Sequence, residues 1–228
     1  MKDKLLDIIF PLECLGCGRE NEWFCQECFS LLSFKPEQSC PFCRRPNNDG
    51  ATCYHCQKEK FLDTCLTAGD YNDQLLSRLI KTCKYSFAKD LIPTIGDFTF
   101  SFLQKNSSLI NFDDNLFFIP IPLHIKRLNW RGFNQSELLA QYLAEKLKIK
   151  ILPGLTRTKN NPPQAKFEEE KRQLNILDCF SWSGENLTGK KIILIDDVAT
   201  TGATLNEAAR ILKKSGAKKV SAITAAGG

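Results

Sequence analysis

Hydrophobic and polar positions follow two different periods along this chain, and the changes of period mark out its elements. Residues 192–195, Ile-Ile-Leu-Ile, form the continuous aliphatic run expected of a strand buried on both faces of a parallel sheet. Two aspartates and a small polar loop follow, and then Leu205, Ala208, Ala209 and Leu212 recur at helical spacing. Residues 116–122, LFFIPIP, predict a second buried strand stopped by its prolines. Beyond it Leu138, Leu139, Tyr142, Leu143 and Leu147 share one face of a helix, and Lys126, Arg127 and Arg131 read as a basic loop between the two. Upstream, Leu75, Leu76, Leu79, Ile80, Cys83 and Phe87 predict an amphipathic helix, with Arg78, Lys81 and Lys84 as its solvated edge. Pro93 opens another helix, in which Ile95, Phe98 and Phe102 face the core. Residues 61–69 read as a connector with some strand character, 106–114 as a polar loop, 155–165 as a mobile loop and 168–177 as helical. The expected fold is α/β, a parallel sheet flanked by helices.

The first sixty residues break this pattern, because they hold too few aliphatic side chains to build a core. Eight of the chain's eleven cysteines lie there instead, paired as Cys14/Cys17, Cys25/Cys28, Cys40/Cys43 and Cys53/Cys56. Each C-x-x-C turn points two thiolates at one ion, and two turns complete a closed tetrahedral zinc site. Two structural zinc ions are therefore expected. A cross-brace pairing is open, but sequential pairing closes shorter loops, of seven and nine residues, and is preferred. His55 is read as a bystander, and Cys65, Cys83 and Cys179 as small core residues. The chain thus divides into a zinc-ribbon-like module at 1–60 and an α/β domain at 61–228.

Composition narrows the setting. At 228 residues with 43% hydrophobic and 25% charged residues the chain is globular, and its net charge of +5 is compatible with a polyanion without demanding one. No apolar run reaches the roughly 18 residues of a membrane span. Near the start, LLDIIF carries Asp7 and lacks a small-residue cleavage site, so it does not read as a signal peptide. A cytoplasmic location is expected, where thiols stay reduced and bind metal.

The chemistry concentrates after residue 195. Asp196 and Asp197 end the strand, and Ala199, Thr200, Thr201, Gly202, Ala203 and Thr204 lead into a helix. Backbone N–H groups and threonine hydroxyls at a helix N-terminus suit a phosphate, and paired carboxylates suit the vicinal hydroxyls of a ribose. A Walker B strand would also end in acid, but the chain has no G-x-x-x-x-G-K-[ST] to partner it.

This block closely resembles the phosphoribosyl pyrophosphate (PRPP) motif of type I phosphoribosyltransferases. The resemblance implies that Asp196 and Asp197 hold the ribose hydroxyls, with Mg2+ accompanying PRPP, and that Thr200, Thr201, Gly202, Ala203 and Thr204 hold the 5-phosphate. A second run, P-I-P-L…K-R-L…R-G-F-N-Q-S-E-L-L-A, resembles the ComF family of competence-associated, phosphoribosyltransferase-like proteins, whose members also carry a cysteine-rich zinc module and a Lys-Tyr pair, here Lys84 and Tyr85. It implies that Arg127, Arg131, Asn134 and Gln135 face the pyrophosphate. By the same resemblance residues 155–165 match the loop that closes over PRPP, with Arg157, Lys159 and Gln164 as contacts, and Arg172 and Asn175 match an R-x-x-N.

Two functions are carried forward. One is a PRPP-binding protein of DNA uptake that handles incoming single-stranded DNA with a helicase-like competence partner. The alternative is a Mg-dependent phosphoribosyltransferase acting on a nucleobase- or amine-type nucleophile. A glutamine amidophosphoribosyltransferase is set aside, because Lys2 stands where that enzyme has its cysteine. For DNA contact, Trp23, Phe24, Phe29, Phe34, Phe42 and Tyr54 supply rings for stacking, and Arg44 and Arg45 supply charge.

Overall fold

The computed structural model describes residues 12–86, 88–110, 113–159 and 178–228. Five parallel strands make the central sheet: β3 (Thr64–Asp70), β4 (Leu116–Pro120), β5 (Lys150–Ile151), β8 (Lys191–Ala199) and β9 (Lys219–Gly227), in the order β3-β9-β8-β4-β5. The aliphatic run is the middle of β8 and is buried on both faces. Ile193 and Ile195 join the core beneath one helical layer, and Ile192 and Leu194 join the core on the opposite face. Such two-sided burial is why the run lacks polar alternation.

Three helices cover the first face: α2 (Gln74–Tyr85), α3 (Ile92–Lys105) and α5 (Gln135–Leu147). Ile95, Phe98 and Phe102 are each 2% exposed, so α3 turns the expected stripe inward. It also approaches α5 closely, because a Cβ at Gly96 would lie 2.3 Å from the Tyr142 ring. On the other face lie α6 (Ala203–Lys214) and a hairpin of β6 (Leu155–Arg157) and β7 (Phe180–Trp182). Among the described residues no helix is long and apolar enough to cross a membrane.

The structure departs from the expected elements in three places. The connector is a full strand, β3, at the edge of the main sheet. The basic stretch after β4 is a short helix, α4 (Ile125–Arg131): His124 Nδ1 caps its start, and Gly132, at φ 77°, ends it in the left-handed region. Leu155–Arg157 is a strand, so the expected loop over PRPP rises from a β stem. Gln164, Arg172, Asn175 and the helix expected at 168–177 lie outside the described residues.

The zinc-ribbon module holds α1 (Gln26–Ser30) and the two-residue strands β1 (Gln38–Ser39) and β2 (Pro46–Asn47). It is not a separate bead. It lies along the outer edge of β3, where Lys35 N–H donates to Ala68 O at 2.8 Å, Cys65 N–H to Gly50 O at 2.9 Å and Thr52 N–H to Asp63 O at 2.8 Å. The Gln38 amide serves as a piece of strand, accepting from Thr67 N–H at 3.0 Å and donating to Thr67 O at 3.1 Å. Covering an edge strand in this way satisfies backbone groups that would otherwise pair with another chain. Phe34 packs on Phe98 with ring centroids 5.2 Å apart.

Candidate functional site

The thiols gather as two sets of four: Cys14, Cys17, Cys25 and Cys28, then Cys40, Cys43, Cys53 and Cys56. Within each set all sulfurs lie within 4.8 Å of one another, which is the sequential grouping rather than the cross-brace. Cys17 and Cys25 sulfurs are 3.6 Å apart, and Cys43 and Cys53 sulfurs 3.5 Å. Tetrahedral zinc with Zn–S near 2.3 Å needs sulfurs about 3.8 Å apart, so both sets fit it. Each first knuckle places a left-handed residue after its second cysteine, Gly18 at φ 77° and Arg44 at φ 61°. Backbone N–H groups of Cys25 and Cys53 point at the Cys14 and Cys40 sulfurs at 3.3 and 3.5 Å, as thiolate ligands require. His55 belongs to neither set, and Cys65, Cys83 and Cys179 are buried in the main cores.

The second site opens at the carboxyl edge of the sheet between β4 and β8. The chain leaves β4 through α4 and α5 towards β5, and leaves β8 through α6 towards β9, on opposite sides. That divergence makes a topological switch point, where ligands bind in open α/β sheets. Asp196 and Asp197 end β8 there. The Ser136 hydroxyl donates to Asp196 Oδ1 at 2.7 Å, and Gln135 Nε2 reaches Asp197 Oδ1 at 3.4 Å. Lys84, from the end of α2, forms an ion pair of 2.6 Å with Asp197 Oδ2, with side chains only 17% and 6% exposed. Burial opposes the Lys84 charge, but Asp197 and then Asp196 raise its pKa overall. Among the described residues no cation lies at ion-pair distance from Asp196. Burial, followed by the Asp197 charge, pushes its pKa up to about 7.

Three arginines, Arg127, Arg131 and Arg157, lie close to one another, and one of them is linked to the carboxylates. Arg131 is 7% exposed and donates to Gln135 Oε1, so that Gln135 links it to Asp197. Burial and then the charges of Arg157 and Arg131 lower the Arg127 pKa. The Nε atoms of Arg131 and Arg157 are buried without a hydrogen-bond partner among the described residues. Asn134 caps α5 and donates to Ile121 O at 3.0 Å, which fixes the turn. Lys159 is exposed at the top of the β6 stem.

Ala199, Thr200, Thr201, Gly202, Ala203 and Thr204 wrap a hollow at the N-terminus of α6, whose first-turn N–H groups have no intrahelical partner. Gly202, at φ 69°, is needed there for its left-handed backbone and for space. A Cβ would lie 3.1 Å from Pro41 O and 3.3 Å from the Phe42 ring. The first knuckle of the second zinc site therefore buttresses the loop. Asn206 Oδ1, one turn into α6, accepts from Phe61 N–H at 2.7 Å and tethers the exit from the module.

Several expectations need correcting. Lys84 is no solvated edge residue but the partner of Asp197, and Arg78 donates to Leu15 O at 2.7 Å to hold the first knuckle. Asp197 consequently has a structural role that its place at a strand end did not reveal. Of the rings offered for stacking, Trp23, Phe24, Phe29, Phe34 and Phe42 pack against the main cores, and only Tyr54 stands out at 68% exposed. Arg44 and Arg45 are both exposed, and Arg44 donates to the Gly228 backbone oxygen. Ser136 was missed altogether. Its only signal was a place inside the R-G-F-N-Q-S run.

The comparisons agree with both halves. The double zinc ribbon domain family matches residues 5–57 and the phosphoribosyl transferase domain family residues 134–228. Competence protein ComFC of Bacillus subtilis is 32% identical over 216 residues, covering 90% of this chain and 85% of the relative. Competence protein F of Haemophilus influenzae is 28% identical over 215 residues, covering 91% and 86%. DNA utilization protein YhgH of Escherichia coli is 29% identical over 186 residues, covering 79% and 80%. A double zinc ribbon docked along the edge of a phosphoribosyltransferase-type sheet, with this kinship along nearly its whole length, places the chain in the ComF family of competence and DNA-utilization proteins.

Proposed function

We propose that this chain binds PRPP with Mg2+ between β4 and β8 and serves DNA uptake, handling incoming single-stranded DNA alongside a helicase-like partner. The observation that carries the PRPP reading is the convergence of three chemistries on one crevice: a carboxylate pair, a helix-terminal phosphate loop and an arginine cluster. Asp196 and Asp197 accept from the ribose hydroxyls. Thr200 to Thr204 hold the 5-phosphate, and Arg127, Arg131 and Arg157 face the pyrophosphate, whose charge relieves their mutual repulsion. Mg2+, when bound, supplies charge neutralisation at the pyrophosphate. The role in DNA uptake rests on what the relatives are named for, competence and DNA utilization.

The alternative, a phosphoribosyltransferase acting on a nucleobase or amine, uses the same crevice. Displacement of pyrophosphate at C1 needs no covalent nucleophile from the protein, so the residues present suffice for it. Calorimetric titration with Mg-PRPP tests the shared site. Binding is expected in the parent, and Arg131→Ala is expected to weaken it at least about tenfold, the loss of one charged hydrogen-bonding group. A parent that ignores Mg-PRPP refutes the site. Release of pyrophosphate on adding an acceptor then separates enzyme from binding protein.

A further inference from the structure

With every candidate ring of the zinc module but Tyr54 turned inward, two other aromatic residues stand out. Tyr85 at the end of α2 is 58% exposed and Trp130 on α4 is 55% exposed. Their centroids are 6.3 Å apart with planes at 55°, so two rings from different elements stand side by side, tilted to one another. Leaving both rings in water forgoes burial worth about 1.5–3 kcal/mol for a large side chain, which marks a surface with a partner.

Charge says what kind of partner. The Arg131 guanidinium lies 5.6 Å from the Tyr85 ring centroid. Arg127 precedes Arg131 by one helical turn, and Lys126 precedes Trp130 by one turn, so cations border the rings along α4. Flat rings interleaved with cations fit unpaired bases joined by phosphates, and the combination does not discriminate sequence. A free nucleotide is the poorer fit. Each ring is more than half exposed, whereas a small-ligand pocket buries most of its ligand's surface.

We propose that Tyr85 and Trp130 form a stacking platform for the bases of single-stranded DNA, with the exposed Lys126 on the same helix meeting an adjacent phosphate. This rests on the DNA-handling reading above and gives it a location: the rim of the PRPP crevice, not the zinc module.

The test uses the full chain with its zinc and a fluorescein-labelled oligo(dT), read by anisotropy at two salt concentrations. The parent is expected to bind, more weakly at higher salt. Trp130→Ala is expected to lose about five- to a hundredfold in affinity, the range measured for one stacked base, while Trp130→Phe keeps most of it. Mg-PRPP titration of Trp130→Ala should match the parent, which shows that the crevice is intact. If the parent binds and Trp130→Ala binds equally well, the platform is wrong and the DNA reading stands. Loss of binding in Arg44→Ala with Arg45→Ala but not in Trp130→Ala would return the DNA to the zinc module. A parent that binds no oligo(dT) overturns both. Competition by dTMP as effective, per nucleotide, as by the oligomer overturns the commitment to a single strand.

Discussion

The two neighbouring aspartates should respond oppositely to the same substitution. Asp197→Asn removes one partner of the 2.6 Å pair with Lys84 and strands an ammonium whose side chain is only 17% exposed. Breaking a buried pair from one side destabilises by about 3–5 kcal/mol. At about 2–4 °C per kcal/mol for a chain of this size, the melting temperature of the ligand-free protein should fall by roughly 6–20 °C. Asp196→Asn removes a carboxylate that the fold disfavours. Its pKa in the folded state is about 7, above the ordinary 3.8, so the folded chain binds the extra proton. The parent is therefore most stable with respect to this group below about pH 4, and loses up to about 1.4 kcal/mol per pH unit as pH rises towards 7. Asp196→Asn should flatten that slope and melt at or above the parent at pH 8. Thermal unfolding followed by circular dichroism from pH 5 to 8, without ligand, reads both effects. Lys84→Met added to Asp197→Asn should recover most of the lost stability, because no charge is then stranded. The reasoning fails if Asp197→Asn melts with the parent, or if Asp196→Asn falls as far as Asp197→Asn.

Elemental analysis of protein purified without added metal should find two zinc ions per chain; one, or none, refutes the paired thiol sets. Gly202→Ala should cost only about 1–2 kcal/mol of stability, the penalty of a left-handed backbone. Its effect on Mg-PRPP affinity should be larger, because the new methyl pushes the loop off Pro41 and Phe42, and equal calorimetric affinity for parent and variant would show that the knuckle does not position the loop.

What the chain declares by itself is whatever its chemistry settles locally. Four C-x-x-C turns specify sulfur convergence within short loops, and 192–195 specifies a strand buried on both sides. The acids and the Thr-Thr-Gly-x-Thr turn lie within nine residues of each other, so the core of the candidate site was legible before any fold was known. Helical stripes such as Ile95, Phe98 and Phe102 were legible for the same reason. A period records which side of an element is buried.

Periodicity does not record what lies across the gap, and the remaining decisions were made there. Lys84 looks like its neighbours on a basic edge until the sheet order brings Asp197, 113 residues on, to the same crevice. Gln38 looks like any polar residue until β3 turns out to be an edge strand needing a partner. The sequence offers the rings of the zinc module for stacking and singles out no such part for Tyr85 or Trp130. The module docks against hydrophobic cores that take in all of those rings but Tyr54, whereas α2 and α4 bring Tyr85 and Trp130 together with more than half of each exposed. Burial of a side chain depends on the neighbours that topology supplies, and those neighbours are distant in sequence.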